Sequence, residues 1–457
     1  MVRLALLPEL SDRFGERLPD HLRYPFVEGR HRLKWGMALT ERFSIDFAAK
    51  GTPQTLLAEV GDPVVAIVPP GYLASTKVFG RLPGAPLPEA GAWNRYMDCS
   101  LEGHRDQRRR QREYGHLNWG DWFGERGHNW GNNEYDRAHG FFAHFFATGK
   151  AAFFDDAVAA ARHQADVDIV HAYPDPYYLG ANVQHGIGHT GVCYQAGIGE
   201  SWSYPYDHTT SAGNGHTWAD GMADCWLFTG DPVVMESLLA LGEHLHSAFA
   251  PTFTKIGTHE RSAGWSLLAA LAAHRATSDA AFLEAAKRIV QRTLSEWDPQ
   301  TGIWQHTLPP AHAGGREGVV GNSLYNLGIL IMALGEYHEL THDPAVLAPM
   351  RGSCEWFVRS YHPDQVAWPY SATVEGESTR RSLTPNLNPL IYPGLAYTGL
   401  ATGRREWVEL AAGALNGTFE RTLSDPLAKE LSIKAYGTTA ALGTLWEARK
   451  DVKKPVK

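Results

Sequence analysis

The sequence predicts a mainly helical fold, an (α/α)n toroid of five to six helical hairpins with a small β-rich region before it. Two patterns carry this prediction. From about residue 115 onward, long apolar helices alternate with amphipathic ones, and a short turn of the Thr-Gly-Asp type recurs between them. The turns are TGK at 148–150, TGD at 229–231, TSD at 277–279, THD at 341–343 and TGR at 402–404. The helices before them, FFAHFFATG, HTWADGMADCWLFTG, WSLLAALAAHRATS, NSLYNLGILIMALGEYHELT and NPLIYPGLAYTGLATG, are apolar nearly all round, so most of their faces must be covered. The helices after them, such as AAFFDDAVAAARHQADVDIV and AAFLEAAKRIVQRTLSEW, keep a polar side and belong outside.

Taken in order, residues 1–110 carry short apolar or alternating runs broken by Gly and Pro: HRLKWGMALTERFSIDFAA, TLLAEVG and PVVAIVPPGYL. They read as β-strands and set this region apart from a toroid over 111–457. Within the toroid, Gly after each first helix serves as a C-cap, and Asp or a neighbour caps the next helix. LSIKAYGTTAALGTLWEARK (431–450) supplies a last inner helix. Long segments rich in Gly, His and aromatics sit immediately before the inner helices. If those helices run parallel, the segments gather at one mouth.

Composition narrows the function. The net charge of −8 and the lack of a basic run interleaved with aromatics argue against nucleic acid; RDQRRRQR at 105–112 is one local patch. No stretch of about 20 apolar residues is present, so no membrane span is expected. The N-terminal apolar run is too short for a signal h-region, which points to a cytoplasmic protein. Cys99, Cys193, Cys225 and Cys354 form no CxxC pair, and HExxH is absent, so neither a disulfide framework nor a metal or other cofactor is expected. The 15 Trp and 18 Tyr suit either stacking on sugar rings or packing between helices.

Three segments hold the chemistry-bearing residues. The first has Trp119, Asp121, His128, Asn129, Trp130, Asn132, Asn133, Glu134, Tyr135 and Asp136. The second has His185, His189, Tyr194, Tyr204, Tyr206, Asp207, His208, Asn214, His216, Trp218 and Asp220. The third is His259, Glu260 and Arg261. Each also has a structural reading: Asn132 or Asn133 as a helix cap, Asp136 or Asp220 as a favourable first-turn charge. His185 and His189 are four apart, but the glycines of HGIGHTG argue against the helix that metal ligation would need. Without a GxSxG elbow or a GxxxxGK[ST] loop, two enzymatic readings remain. Paired carboxylates from Asp121, Glu134, Asp136, Asp220 and Glu260 would hydrolyse a glucuronide- or rhamnose-containing oligosaccharide. An Asn/His/Tyr/Arg set would instead eliminate across C4 and C5 of a uronate, which needs the sugar carboxylate neutralised, a base for the C5 proton and an acid for O4. A non-enzymatic sugar-binding toroid is a third reading, and the clustering of His, Tyr and Asn speaks against it.

The order of WGMALTERFSIDF, GDW at 120–122, GNNEYD, ARHQADVDIVH and GHTWADGMADCWLFTGD resembles the polysaccharide lyases built on an α/α toroid. It is most similar to the central region of the rhamnogalacturonan exolyase family, over about residues 30 to 250. The resemblance implies cleavage of a 4-linked uronate, galacturonate in the first instance, in an acidic oligo- or polysaccharide. It implies Asn132 or Asn133 as the group that neutralises the carboxylate, His189 or His208 as base and Tyr204 or Tyr206 as acid. His128, Trp130, Tyr135, His185, His216, Trp218, His259, Glu260 and Arg261 are then expected to contact substrate.

Overall fold

The computed structural model describes residues 36–41, 64–111, 118–123, 130–182, 215–256, 260–425 and 428–452, with Glu113 and a few positions between 45 and 55. Among the described residues, six inner helices form a closed ring. In chain order they are α3 (Arg137–Thr148), α5 (Asp220–Thr229), α7 (Glu260–Thr277), α9 (Leu324–Thr341), α11 (Tyr392–Thr402) and α13 (Ala428–Val452). Each packs on the next, and α13 packs back on α3. Closure requires a close approach, because a Cβ added at Gly140 on α3 would lie 2.5 Å from the Cβ of Ala435 on α13.

The outer layer is α4 (Ala151–His163), α6 (Pro232–Glu243), α8 (Ala280–Leu294), α10 (Leu347–Arg359) and α12 (Arg405–Glu420), each against the inner helix before it. The sixth position is taken by α2 (Ala90–Gln111), which packs on α12 and α13. The molecule is therefore an (α/α)6 toroid, its last hairpin made by joining an early helix to the last one. Inner helices are buried on nearly every face, as on α9 from Leu324 to Tyr337, and one hydrophobic core runs through the ring.

The recurring turns share one construction. Thr148, Thr229, Thr277, Thr341 and Thr402 each donate the hydroxyl to the carbonyl four residues back. The next residue is left-handed, at φ 72° for Gly149 and still at 61° and 54° where Ser278 and His342 replace glycine. Asp231, Asp279 and Asp343 then accept the backbone N–H two residues on and start the outer segment.

The N-terminal region differs from the expectation of strands. Most of 31–61 lies outside the described residues. Of PVVAIVPPGYL, residues 64–69 form no strand, and Pro70–Thr76 is a short helix, α1. Residues 90–111, placed in the β-rich region by the sequence, form helix α2. Trp93, Tyr96, Met97, Ser100, Leu101, His104 and Arg108 recur at three- and four-residue spacing and are its buried stripe. Among the described residues the sheet lies elsewhere, as three short antiparallel strands in the order β1 (His306–Thr307), β2 (Val320–Ser323), β3 (Ser371–Thr373). β2 runs directly into α9, so the sheet stands over the start of that inner helix.

Candidate active site

The N-terminal ends of the inner helices point to one mouth, which has two dissimilar halves. The first is built by residues 118–136 and 215–220. Asp121 accepts the backbone N–H groups of Asn132 (3.1 Å) and Asn133 (3.0 Å), and the Asn133 carboxamide donates to the Ala160 carbonyl on α4 (3.2 Å). The cap of α3 is Asp136, not either asparagine. One oxygen accepts the N–H of His139 at 3.1 Å, and the other accepts that of Gly221 on α5 at 3.0 Å. Only glycine fits there, since a Cβ at Gly221 would come within 2.4 Å of the Asp136 carboxylate. Asn132, Asn133, Tyr135 and Asp136 all have positive φ, from 46° to 66°. Asparagine and aspartate adopt that conformation at small cost, but a tyrosine there stores on the order of 1 kcal/mol or more.

Beneath this turn, inside the ring, His139 Nδ1 lies 2.7 Å from Asp224, and Arg275 donates to both Asp220 and Asp224 at 3.1 Å. The Tyr436 hydroxyl donates to Asp220 at 2.7 Å. Burial, with Asp220 nearby, pushes Asp136 up to about 6. Burial works against the proton on His139, but the Asp224, Asp220 and Asp136 carboxylates prevail and push it up to about 9.

Several residues singled out from the sequence meet between the halves. Tyr135 stacks against Trp218 with centroids 6.4 Å apart, and Trp218 meets Trp265 edge-on at 6.0 Å. Glu134 is held on one side by Lys429 Nζ (2.9 Å) and on the other by His216 Nε2 (3.3 Å). Glu260 faces the Asn322 carboxamide at 2.9 Å and His306 Nδ1 at 3.3 Å. Trp130 is buried and packs edge-on against Phe123, a wall of the turn. His128, His185, His189, Tyr204, Tyr206, His208 and His259 lie outside the described residues.

The second half is built by the start of α7, the sheet and the start of α9. Arg261, second residue of α7, sits within electrostatic range of Tyr325, Tyr135, Glu134 and Tyr370. Burial works to lower its pKa, and these groups raise it above the ordinary guanidinium value. The Tyr325 and Tyr370 hydroxyls are 3.0 Å apart, and Tyr370 Oη is 3.5 Å from His312 Nε2. The other His312 nitrogen lies 3.2 Å from the Ser323 hydroxyl. The Arg380 guanidinium covers the Tyr370 ring at 4.2 Å. Burial, then Arg380 and Arg261, lower the His312 pKa and keep the ring neutral at neutral pH. Burial raises Tyr325 well above the usual phenol value, so its hydroxyl keeps its proton.

Tyr325, Tyr370, His312 and Arg380 were not among the sequence candidates. Tyr325 had a signal: it is the second residue of its inner helix, as Arg261 is of α7. His312 and Tyr370 come from segments that only β-pairing brings together, with Asn322 opposite Ala372.

Neither the protein-family models nor the curated proteins contain a match to this sequence. Among solved structures, the chain is similar to a polysaccharide lyase at 12% identity and a TM-score of 0.49, over 80% of this chain and 99% of that one. A glycosyl hydrolase family 88 protein from Bacteroides vulgatus also has 12% identity and a TM-score of 0.49, over 77% and 99%. An unsaturated glucuronyl hydrolase from Bacillus sp. GL1, responsible for glycosaminoglycan degradation, has 16% identity and a TM-score of 0.38, over 47% and 58%. The fold and the chemistry alike rest on this chain's own residues. Among the described residues no helix is long and apolar enough to cross a membrane.

Proposed function

We propose that the protein is a carbohydrate-active lyase that cleaves 4-linked uronates in acidic oligo- or polysaccharides by β-elimination. The observation that supports this reading is the contrast in exposure at the mouth. Arg261, His312, Tyr370 and Arg380 are half-buried, with atoms left to meet a ligand, and Tyr325 beside them is buried with 7% of its surface exposed. The five carboxylates a hydrolase would draw on are sealed: Asp121, Asp136 and Glu260 are 0% exposed, Glu134 2% and Asp220 3%. Each already holds a backbone N–H or a cationic, amide or phenol partner. Glycoside hydrolysis needs two carboxyl groups open to the sugar, with separate roles.

In this reading Arg261 neutralises the uronate carboxylate, the role the resemblance assigned to Asn132 or Asn133, and so stabilises the enolate-like intermediate. Tyr370 takes the C5 proton while passing its own to the neutral His312. The C5–H electron pair forms the C4–C5 double bond, the C4–O4 bond breaks, and O4 takes the proton of Tyr325. The two hydroxyls stand side by side on one wall. That favours a uronate whose C5 proton and O4 leave from the same face, as in 4-linked glucuronate, over the galacturonate implied by the resemblance.

A panel of uronate polymers, followed by the ultraviolet absorbance of the conjugated double bond, tests the reaction class. Reducing ends released without that absorbance would mean hydrolysis. If variants at His189, His208, Tyr204 or Tyr206 lose activity while Tyr370→Phe keeps it, the proton transfers belong to that segment instead. Chelation should leave the rate unchanged; a loss restored by a divalent cation would make His185 and His189 ligands.

A further inference from the structure

Two loops flank Tyr370, and each reaches across to hold the other with an arginine. Arg316, on the loop between β1 and β2, donates from Nη2 to the Thr379 carbonyl at 3.1 Å and from Nε to the Ala313 carbonyl at 3.2 Å. Arg380, after β3, donates from Nη2 to the Ala311 carbonyl. The Ser371 and Thr379 hydroxyls both donate to the His312 carbonyl and stitch the same seam. Carbonyl groups hold the two guanidiniums in place but do not neutralise them. Among the described residues neither arginine has a carboxylate within ion-pair distance, and the adjacent Arg381 is exposed. Holding two loops together requires donors, and uncharged side chains supply those. Arg380 also bears on His312, and an anion meeting both guanidiniums would supply the counter-charge that the carbonyls do not.

We infer that Arg316 and Arg380 form a second anion subsite, next to the Arg261 site, for a negative group on the sugar adjoining the cleaved uronate. Arg380 connects the two sites physically, since its guanidinium lies on the Tyr370 ring. The substrate class is therefore a chain charged on consecutive sugars, rather than one alternating a uronate with a neutral sugar. The second charge is a carboxylate or a sulfate ester, both of which a guanidinium fork binds through paired oxygens. This rests on the lyase reading for what happens at Arg261, but binding at Arg316 can be measured without turnover.

Three oligosaccharides of equal length form the test: an oligoglucuronate, glucuronate alternating with a neutral N-acetylhexosamine, and the latter sulfated on the hexosamine. Each is titrated calorimetrically into the wild-type protein, Arg316→Gln and Arg316→Lys at two salt concentrations, and cleavage is followed in parallel. The wild type is expected to bind at least one consecutively charged probe about tenfold more tightly than the neutral alternating one. Arg316→Gln should remove that preference, Arg316→Lys should keep part of it, and added salt should weaken it. Which charged probe is preferred tells carboxylate from sulfate. A thermal melt of each variant separates a lost subsite from a lost fold, and the Lys variant carries the test should the Gln variant not fold. Equal affinity of the wild type for charged and neutral partners, or equal losses on all probes in Arg316→Gln, would overturn the subsite. Charge-selective binding without a new double bond would keep the subsite and reject elimination; cleavage without charge preference would do the reverse.

Discussion

The two halves of the mouth are built from similar residue types and use them in opposite ways. Around 118–136 and 215–220, acids and amides turn inward: Asp121 and Asp136 satisfy backbone N–H groups, and Asn133 ties the turn to α4. Around 261, 306–325 and 370–380, Arg261, His306, His312, Tyr370 and Arg380 stay half-buried beside the buried Tyr325, and this group hydrogen-bonds chiefly to each other or to carbonyls. Density of polar residues in the sequence therefore does not by itself mark a reactive wall. A crowded polar turn at a buried helix start has its own backbone to satisfy, and the residues that do so have little left to offer a substrate.

The largest effect that would separate the halves is at Arg261. Arg261→Met should lower turnover on the order of 1000-fold, as for loss of a preorganised donor to a developing oxyanion, with a small change in melting temperature. Steady-state kinetics against the preferred uronate checks this. Near-normal turnover would move the reaction out of the second half altogether.

Tyr370→Phe and Tyr325→Phe come next, each expected to cost about 100-fold in kcat, the usual scale of one proton-transfer group. The pH profile belongs with them. A histidine at its ordinary pKa of about 6.5 would give a rate rising through neutrality. Because the His312 pKa is lowered, the ring is already neutral there, so the rate should be flat at neutral pH and fall only under more acidic conditions. A rise through pH 7 that disappears in His189→Ala or His208→Ala would return the base to the segment the resemblance pointed to.

Much of the ring was legible in the sequence because its signals are local. A Thr, a left-handed residue and an Asp lie within three positions, and all-round apolar helices alternate with one-sided ones. The sixth outer helix was hidden, since the charge-rich AGAWNRYMDCSLEGHRDQRRRQ follows Pro- and Gly-broken runs and no Thr-Gly-Asp turn precedes it. The site divides likewise. Arg261, Glu260, Tyr135, His216 and Trp218 stood out as candidates because they adjoin an inner helix whose start is visible. His312 and Tyr370 are 58 residues apart and meet only through the sheet, a tertiary contact that no local pattern announces.

The buried network under the first half predicts a moderate effect on stability. His139 has a folded pKa of about 9 against 6.5 for the free group, so its stabilisation is complete below about pH 6.5 and is lost as pH rises toward 9. Asp220, Asp224, Asp136, Glu336 and Arg275 face it. The carboxylates of Asp136 and Glu336, raised to about 6 and about 7, lose stability with rising pH in lower windows, from their ordinary values up to those points. The melting temperature should therefore drop by about 2–4 °C between pH 6.5 and 9. His139→Gln should flatten that upper slope and leave the lower one. An unchanged slope would mean that His139 does not carry its proton in the folded protein.

The smallest effect sharpens the comparison at its most ambiguous residue, Asn133. Its carboxamide bonds to the Ala160 carbonyl, and its backbone sits at φ 51°. Asn133→Gly keeps the backbone at ease and removes one hydrogen bond, a loss of about 1 kcal/mol. Asn133→Ala removes the bond and also forces a Cβ-bearing residue without asparagine's local hydrogen bonding into the left-handed region, so its loss should be nearer 2 kcal/mol. Denaturant melts of the two variants measure the difference, and turnover in both should stay within a few-fold of wild type. The opposite pattern, equal melts with turnover down about 100-fold in both, is what a carboxylate-neutralising asparagine would produce. In that case the first half, strained turn included, is part of the catalytic wall, and Arg261 shares the substrate carboxylate with it.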